Sequence, residues 1–426
     1  MDSRTLQYYA KHAPEVAARY TRAAGGIDRY FPAAFTRRMR VLDVGAGSGR
    51  DLALLLDMEV DAFGVEPCEE LRIEALRRYP RLDRRLRHGV LPKLGQPFGG
   101  NFDGVLCSAV LMHLPRNQVP DAALALRSVL KEGGVLLLSV PLTRPGIGPD
   151  DRDDNGRLYT PLSEQWLLLL FEHLGFELAD RWHTDDASAR KGVTWCTLLL
   201  RRRQKGSLQP IDQVETILNH DKKTATYKPA LFRALSDIAL TESQQARWYD
   251  GGVVGVALDA VAERWLYYYW PLIESPTFIP QTKGEPQASK TLAFRPALSQ
   301  LVHYYHHAGG LGRFVLDYRS RTLPAEAQRL LEATLDAIRK AIVDGPVTHA
   351  GGSLSGGPVF TYHKATHEIR MSTGMWRDLS LFAHSIQDAA IRVWAELTAE
   401  ISWGAIHHDK VLDLLLKAPG AGVPGR

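Results

Sequence analysis

The sequence predicts an α/β protein in its first half, built on a doubly wound and mostly parallel sheet, followed by a mainly α domain. Between about residues 40 and 203, short apolar runs alternate with helix-like stretches, which is typical of repeated βα units. Beyond residue 210, apolar residues recur at spacings of three and four, as on one face of a helix. The polar stretch 201–207 between these patterns suits a linker. We therefore predict one domain over 1–205 and a second over 206–426.

Composition excludes several classes of protein. The 426 residues include 52 Lys+Arg, 48 Asp+Glu and 45% hydrophobic residues, which argues against disorder, collagen and a disulfide scaffold. A net charge of +4 is too small to indicate a nucleic-acid partner by itself. The cysteines Cys68, Cys107 and Cys196 are widely spaced and odd in number. With no signal-peptide pattern at the start and no apolar run of membrane-spanning length, we expect a cytoplasmic protein without membrane contact.

The strands of the first half follow from its apolar runs. Four runs predict buried parallel strands, at 41–44, 62–65, 102–106 and 134–140. Two further runs, 176–178 and 193–200, have no helical pattern between them. They predict a hairpin at the edge of the sheet.

The loop after the first predicted strand is the most informative stretch. Gly45, Gly47 and Gly49 alternate with other residues between an apolar strand and a helix start. Glycines here permit a tight bend and a close approach of the backbone to a nucleotide-like ligand, although a plain structural turn is the alternative. Phosphate is disfavoured because Arg50 and Asp51 stand where a phosphate-binding loop has Lys and Ser or Thr.

An acid follows at the expected distance for a ribose contact. Glu66 lies about 20 residues downstream, at the end of the next apolar run. Its carboxylate can accept hydrogen bonds from ribose hydroxyls. NAD and S-adenosylmethionine both carry such a ribose. The glycine loop and Glu66 are therefore compatible with either cofactor.

Four motifs in order resemble the class I S-adenosylmethionine-dependent methyltransferases over about residues 5–203. They are the loop 43–49, Glu66, the stretch 102–114 as fourth strand and following turn, and 131–138 as the next turn and fifth strand. The resemblance implies a seven-stranded Rossmann-like sheet with its last strand antiparallel. It implies S-adenosyl-L-methionine as cofactor and methyl transfer to an unidentified acceptor.

The resemblance also implies a set of cofactor-binding residues. We expect the backbone of Gly45 to Gly49 against the methionyl part, the Asp43 carboxylate near its ammonium group, and Glu66 on the ribose hydroxyls. Many relatives carry an acidic adenine contact after the third strand, whereas this chain reads Arg-His-Gly-Val-Leu-Pro over 87–92. The expected cofactor-binding residues are Asp43, Gly45, Ala46, Gly47, Ser48, Gly49, Glu66, Pro67, Val90, Leu91 and Ser108.

The catalytic group is less defined, and no metal is expected. Methyl transfer relies mainly on positioning, and a base is needed only when the acceptor must lose a proton. His113, just after the fourth strand, is the candidate base by location, with a structural role as the alternative. The acidic stretch 150–154 and Tyr159 form either one wall of an acceptor pocket or a solvated loop. Tyr8, Tyr9 and Tyr20 either cover the cofactor or pack on the sheet.

The acceptor remains open between a small metabolite, a protein and an RNA. The DNA amino-methyltransferase motif, Asn or Asp followed by Pro-Pro and Tyr or Phe, is missing at 107–110, and the chain has no Pro-Cys pair. Direct methylation of a DNA base is therefore disfavoured. The arginine-rich stretch 72–87 is either a phosphate-tracking surface or a solvated helix face.

The second half suggests a possible nucleic-acid-binding module. Lys222, Lys223, Lys228 and Arg233 are expected near a helix start, where they would bind phosphates. Residues 211–235, 394–398 and 411–416 resemble the helical region ahead of the nuclease module in certain bacterial HNH endonuclease-like proteins. No cysteine follows Cys196, and the sequence ends about where the nuclease would begin, so we expect no cleavage activity. The alternative function is thus a nucleic-acid-binding protein of a bacterial defence or modification system, with methylation auxiliary or lost.

Two further clusters in this half have competing interpretations. His303 and His307 are four residues apart on one helical face, as in some metal sites, but no acid or cysteine lies near them in the sequence. Aromatic residues over 265–270 either stack on bases or form a buried core, and the core is favoured. His407, His408 and Asp409 are too closely spaced for a nuclease centre.

Overall fold

The structure, a computed structural model, describes residues 1–22, 26–186, 190–204, 209–287 and 289–417. The chain forms two compact units, Met1–Gln209 and Pro210–Arg426. Part of the predicted linker 201–207 lies outside the described residues, and Arg201 and Arg202 belong to the last strand of the first unit.

The first unit contains a single mixed sheet of seven strands among its described residues. The strands are β1 (Arg40–Val44), β2 (Asp61–Val65), β3 (Leu86–Arg87), β4 (Phe102–Ser108), β5 (Leu130–Thr143), β6 (Phe176–Asp185) and β7 (Thr194–Arg202). Their order is β3-β2-β1-β4-β5-β7-β6. Strands β1 to β5 pair in parallel, and β7 runs antiparallel to both β5 and β6. The predicted seven-stranded Rossmann-like sheet is confirmed.

Helices cover this sheet. They are α1 (Ser3–Lys11), α2 (Ala13–Arg22), α3 (Phe31–Ala34), α4 (Arg50–Asp57), α5 (Glu69–Arg78), α6 (Val119–Val129) and α7 (Glu164–His173). The central strands are apolar because both faces are buried, as Val41 and Leu42 of β1 are. Helix α4 packs through the buried side chains of Leu52 and Leu55. Because α4 directly follows the loop after β1, its N-terminus lies at the carboxyl edge of the sheet. In such sheets this edge is where ligands bind.

The edge hairpin is longer than its apolar signal. The predicted strand 176–178 continues to Asp185 in the structure. The sequence analysis missed the additional residues because most β6 side chains face solvent and are polar, and therefore add nothing to an apolar pattern. Strand β3 is only two residues long and therefore gave no signal.

The second unit is largely helical, as expected. Its helices are α8 (Pro210–His220), α9 (Tyr227–Thr241), α10 (Leu258–Glu274), α11 (Arg295–His306), α12 (Gly310–Arg319), α13 (Ala325–Ile342), α14 (Thr373–Leu381), α15 (Ala383–Ile401) and α16 (His408–Lys417). Trp265, Tyr268, Tyr269 and Trp270 are almost fully buried on α10. The interpretation of these aromatics as a core is therefore confirmed.

The second unit also contains an antiparallel sheet that the sequence analysis did not predict. Its strands are β8 (Arg247–Tyr249), β9 (Val253–Ala257), β10 (Thr361–His363) and β11 (Glu368–Ser372), in the order β10-β11-β9-β8. Each strand has only three to five residues, too few for alternation to stand out beside long helical patterns. Among the described residues of either unit, no helix is long and apolar enough to cross a membrane.

Candidate active site

A deep cavity opens at the carboxyl edge of the first unit's sheet, where β1, β2, β4 and β5 end. It holds about 1430 Å³ of free space, including its opening to solvent. One end is lined by the loop after β1 and by Glu66 after β2. The other end is lined by aromatic and cationic side chains from α1, from the segment after β5 and from the hairpin. The two ends belong to one continuous cavity.

The glycines of the loop after β1 have different structural roles. Gly45, Gly47 and Gly49 have φ of 79°, 54° and 76°, a region that favours glycine. A Cβ on Gly45 would lie 2.4 Å from Cγ2 of Val110, and one on Gly49 would lie 2.6 Å from Cδ1 of Leu82. A Cβ on Gly47 would have only the Gly45 carbonyl oxygen within 4 Å, at 3.9 Å. Gly45 and Gly49 thus permit close packing, whereas Gly47 leaves space beside the cavity.

Glu66 is buried at the floor of the cavity, 5% exposed. Its Oε2 accepts a hydrogen bond from the Gly47 N–H at 2.9 Å, and its Oε1 accepts one from the Cys68 N–H at 2.9 Å. Burial raises the pKa of Glu66 to about 7, and the two backbone donors oppose that rise. Each carboxylate oxygen keeps a second lone pair, so the group can accept from two further hydroxyls.

Asp43, at the end of β1, is 2% exposed and has an unsatisfied oxygen. Its Oδ2 has no hydrogen-bond partner among the described residues. Burial raises the pKa of Asp43 well above its usual value, and the charges of Asp51 and Glu66 add to that rise. A buried carboxylate oxygen without a partner suits a cationic ligand group. Together with the open side of Gly47 and the free lone pairs of Glu66, Asp43 fits the amino group of S-adenosylmethionine.

The structure brings most, but not all, of the expected cofactor-binding residues to this cavity. Those that line it are Asp43, Gly45, Ala46, Gly47, Ser48, Glu66 and Ser108. Gly49 is the N-cap residue of α4 and packs against α5, while Pro67, Val90 and Leu91 do not line the cavity. The adenine contacts expected at Val90 and Leu91 stay a prediction. Ser139 of β5 lines the cavity as well and was not predicted; its Oγ lies 3.4 Å from that of Ser108.

His113 lines the cavity, yet protein groups engage both of its ring nitrogens. Nδ1 lies 2.7 Å from the Leu158 carbonyl oxygen, to which its N–H donates a hydrogen bond. Nε2 is then the acceptor for the Tyr9 hydroxyl, at 3.2 Å. Burial lowers the pKa of His113 to about 4. The ring is therefore neutral at pH 7 and held in one tautomer, an arrangement that favours the structural alternative.

Aromatic side chains surround His113 at this end of the cavity. The His113 ring centroid lies 5.0 Å from that of Tyr159 and 5.7 Å from that of Tyr9. Tyr9 and Tyr20 both line the cavity, so the interpretation of these two tyrosines as a cover is supported. All three tyrosines also pack on the small apolar cluster that includes Val16 and Leu71, and Tyr8 differs in not lining the cavity.

Three arginines also line this end, and the sequence analysis missed them all. They are Arg144, Arg157 and Arg190. No motif marks such residues in a sequence. The only available signal was the position of 144–159 directly after a predicted strand at the ligand-binding edge.

The acidic stretch after β5 supports the wall of the cavity from behind. The Asp153 side chain is 8% exposed and pairs with Arg157 at 2.6 Å and Arg144 at 3.5 Å, without itself lining the cavity. Asp150 and Asp154 are exposed. The pocket wall is thus formed by Tyr159 and arginines, not by the acids.

Two clusters with proposed phosphate contacts have other partners. Lys228 is 8% exposed and pairs with Asp221 at 2.6 Å. Arg233 is 6% exposed and donates to the Leu415 carbonyl at 2.9 Å. The prediction that these two residues bind phosphates is therefore wrong, because both side chains are buried inside the second unit, where Lys228 pairs with Asp221 and Arg233 donates to a backbone carbonyl. In the arginine-rich stretch 72–87, several side chains pair with acids, including Arg81 with Asp57, as on a solvated face.

Potential metal ligands are sparse among the described residues. Two groups of three lie close enough together, Glu164 with His183 and Cys196, and His407 with His408 and Asp409. The exposed pair His303 and His307 belongs to neither group.

Two family models match the chain. Residues 9–217 match the family described as methyltransferase domain. Residues 207–415 match a domain of unknown function, DUF8808. This second family has no nuclease in its description. The resemblance of the second half to HNH endonuclease-like proteins therefore stays a prediction.

The chain is also similar to individual proteins over part of its length. It is 33% identical to protein-L-isoaspartate O-methyltransferase of Shewanella halifaxensis over 110 residues, which are 25% of this chain and 47% of the relative. For the protein of the same name from Erwinia tasmaniensis the identity is 37% over 110 residues, 25% of this chain and 49% of the relative. The chain thus spans about half the length of the curated relatives it matches.

Solved structures give more distant similarities. Burkholderia thailandensis 1,6-didemethyltoxoflavin-N1-methyltransferase is 22% identical, with a TM-score of 0.40, and the match covers 47% of this chain and 88% of that one. A TehB-like methyltransferase from Corynebacterium glutamicum is 19% identical, with a TM-score of 0.35 and coverage of 45% and 99%. The family match and the observed strand order give the assignment. Residues 9–217 are a class I S-adenosylmethionine-dependent methyltransferase domain, and they are followed by a domain of unknown function.

Proposed function

We propose that the chain is an enzyme that transfers a methyl group from S-adenosylmethionine to an acceptor bound in the same cavity. The observation that carries this proposal is the unsatisfied oxygen of Asp43 beside the open face of Gly47 and the carboxylate of Glu66. Asp43 would hold the ammonium group of the cofactor, and Glu66 would accept from its ribose hydroxyls. The acceptor would enter from the end lined by Tyr9, Tyr159 and the arginines.

The chain's residues mainly bind, orient and exclude water. When bound, S-adenosylmethionine supplies a methyl group that its sulfonium already activates. The remaining requirement is alignment of the acceptor atom with that methyl, for which positioning alone can lower the barrier by several kcal/mol. Tyr9 and Tyr20 cover the cavity and separate the reacting atoms from solvent.

His113 has a positioning role in this proposal. Its Nε2 accepts from the Tyr9 hydroxyl, and its Nδ1 is tied to the segment after β5 through Leu158. The residue therefore joins α1 to that segment across the cavity. A group with a pKa of about 4 is a weak base, so it contributes little to proton removal at neutral pH.

The partner that this function requires is a methyl acceptor. We do not propose nucleic acid as a partner of the second unit, because Lys228 is buried and paired with Asp221, and Arg233 is buried and donates to the Leu415 carbonyl.

The proposed cofactor site is tested by isothermal titration of S-adenosylmethionine and S-adenosylhomocysteine into the whole protein. We expect binding by the wild type and a loss of about tenfold or more in the Glu66→Ala variant, because two hydrogen bonds to a charged group are lost. Glu69→Ala, an exposed glutamate on the adjacent helix α5, is the matched control and should bind as the wild type does. Folded wild-type protein that binds neither compound would refute the proposal.

A further inference from the structure

We infer that the methyl acceptor is a small aromatic acid that is anionic at neutral pH, bound by Arg144 and Arg157 against Tyr159. The inference rests on the proposed function, since it names the acceptor for the same cavity. It follows from the charge balance of the cavity wall, from an unsatisfied guanidinium nitrogen, from the aromatic surroundings and from the hydrogen bonds that engage both ring nitrogens of His113 beside two protonated tyrosines.

The first observation is that two guanidinium groups share one carboxylate. Arg157 donates to Oδ2 of Asp153 through Nε at 2.9 Å and through Nη2 at 2.6 Å. Arg144 Nη2 lies 3.5 Å from the same oxygen. Both arginines line the cavity, whereas Asp153 does not. Since arginine stays charged in proteins, the group presents a net positive charge to the cavity, with the compensating carboxylate behind it.

The second observation concerns the hydrogen bonds of Arg144. Its side chain is 13% exposed, and its Nε is buried without a hydrogen-bond partner among the described residues. A buried donor without a partner carries a desolvation cost that a ligand can relieve. The guanidinium carbon lies 4.0 Å from the Tyr159 ring centroid, which holds the group in place. A carboxylate is the partner that matches a planar guanidinium best.

The other charged groups near this end do not cancel that positive charge. Arg190 forms a closed pair with Asp186, at 2.9 Å from its Nε and 2.5 Å from its Nη2. Asp186 also accepts from the Trp195 indole at 3.0 Å. Asp185 lines the cavity but is exposed, so solvent screens its charge.

The third observation is chemical. His113 is neutral with both nitrogens engaged, and burial raises the pKa of Tyr9 and of Tyr159, so both phenols stay protonated. A carboxylate acceptor arrives already deprotonated and needs no base. One of its oxygens would form a bond to the methyl carbon as the sulfur–methyl bond breaks, which would give a methyl ester and S-adenosylhomocysteine. Its negative charge also complements the positive sulfonium of the cofactor. The rings of Tyr9, Tyr20 and Tyr159 around the same space favour a flat aromatic body.

The test compares matched acids and amides on the whole protein saturated with S-adenosylhomocysteine. The probes are benzoate and salicylate, with benzamide and salicylamide as neutral counterparts of the same shape, titrated by calorimetry at millimolar concentrations. We expect the acids to bind about tenfold or more tightly than the amides, the difference expected from charge-assisted hydrogen bonds. The Arg144→Gln variant should lose this preference while its affinity for S-adenosylhomocysteine is unchanged.

Two further variants make the result specific. Arg77→Gln, on the exposed face of α5, is the matched control and should keep the wild-type preference. Arg144→Lys keeps the charge without the planar fork, so its affinity for the acids should be intermediate, and it decides the matter if the Gln variant does not fold.

The possible failures are distinguishable. If S-adenosylhomocysteine binds but no acid does, or acids and amides bind equally, the acceptor inference is overturned and the methyltransferase proposal stands. Equal acid affinity in the wild type and both Arg144 variants would overturn it too. If S-adenosylhomocysteine itself does not bind to folded protein, the proposed function fails first.

Discussion

At the scale of single residues, Glu66 links the cofactor site to the stability of the first unit. Its carboxyl is buried, and burial raises its pKa to about 7, above the ordinary value of 4.5. Between these two pH values the folded protein binds more protons than the unfolded chain. Stability is therefore lost as pH rises from below 4.5 through 7. The ionised carboxylate that lowers the stability is also the form of Glu66 that accepts the stronger hydrogen bonds from ribose hydroxyls.

The Glu66→Gln variant tests this linkage. We expect its melting temperature to rise relative to the wild type between pH 5 and pH 8, because the amide has no ionisation cost, which is on the order of 3 kcal/mol for a shift of this size. Thermal denaturation of both proteins without ligand at these two pH values measures the effect. Glu69→Gln serves as control and should show no pH-dependent difference. A constant difference between Glu66→Gln and the wild type would contradict the assignment.

Some site residues were predictable from sequence, and others were not. Asp43, the glycines and Glu66 were accessible because strand, loop and acid stand at a spacing that a βα unit enforces. Arg144 and Arg157 were not, since their role depends on pairing with Asp153 in an irregular segment whose path no local pattern specifies.

At the scale of elements, different glycines of the loop after β1 serve close packing and ligand binding. Ala at position 45 would place Cβ 2.4 Å from Val110, with φ at 79°, whereas Ala at position 47 would meet open space. We expect Gly45→Ala to lower the free energy of unfolding by about 2 kcal/mol or more through clash and strain. Gly47→Ala should cost about 1 kcal/mol of stability and mainly weaken cofactor binding. Chemical denaturation and calorimetry separate the two effects. The reverse ranking for stability would be inconsistent with this account.

Helix α1 is tied to the segment after β5 by its first residues. Asp2 accepts from the Thr5 N–H at 2.9 Å and forms a two-point pair with Arg152 at 2.8 and 2.9 Å. The Thr5 hydroxyl in turn accepts from the Leu158 N–H at 2.9 Å. These bonds place Tyr9 over the cavity.

Removing this tie should loosen the cover of the site. We expect Asp2→Ala to lower stability by about 1–2 kcal/mol, through a lost cap and ion pair, and to speed amide hydrogen exchange in α1. Ser163→Ala removes the cap of α7, in which the serine hydroxyl accepts from the Trp166 N–H, and serves as control. It should cost about 1 kcal/mol without changing exchange in α1. Unchanged exchange in Asp2→Ala would show that the tie does not hold the helix.

At the scale of the whole molecule, the two halves differed in how much their sequences revealed. The seven-stranded sheet was predictable because buried parallel strands are continuous apolar runs separated by helices. In the second unit, the helices were predictable but the sheet of β8 to β11 was not, since its strands are short. The buried charges there were misinterpreted because a lysine in a sequence carries no sign of its partner.

Lys228 allows that reinterpretation to be tested. The Asp221 side chain is 1% exposed and also accepts from the N–H groups of Gly351 and Ser353 at 2.9 Å. Removing Lys228 leaves a buried carboxylate with one partner fewer. We expect Lys228→Ala to lower the free energy of unfolding by about 3 kcal/mol or more, whereas exposed Lys222→Ala changes it little. Denaturation experiments measure both. A stable Lys228→Ala variant with weakened DNA binding would restore the phosphate-binding interpretation.

The most direct test of the central claim is a crystal structure of the whole protein with S-adenosylhomocysteine. This account predicts the ligand in the cavity at the carboxyl edge of the sheet, with ribose hydroxyls within hydrogen-bond distance of Glu66, the amino group at Asp43 and the backbone of Gly47 against the methionyl part. Ligand density elsewhere, or in this cavity without contact to Glu66 and Asp43, would contradict it.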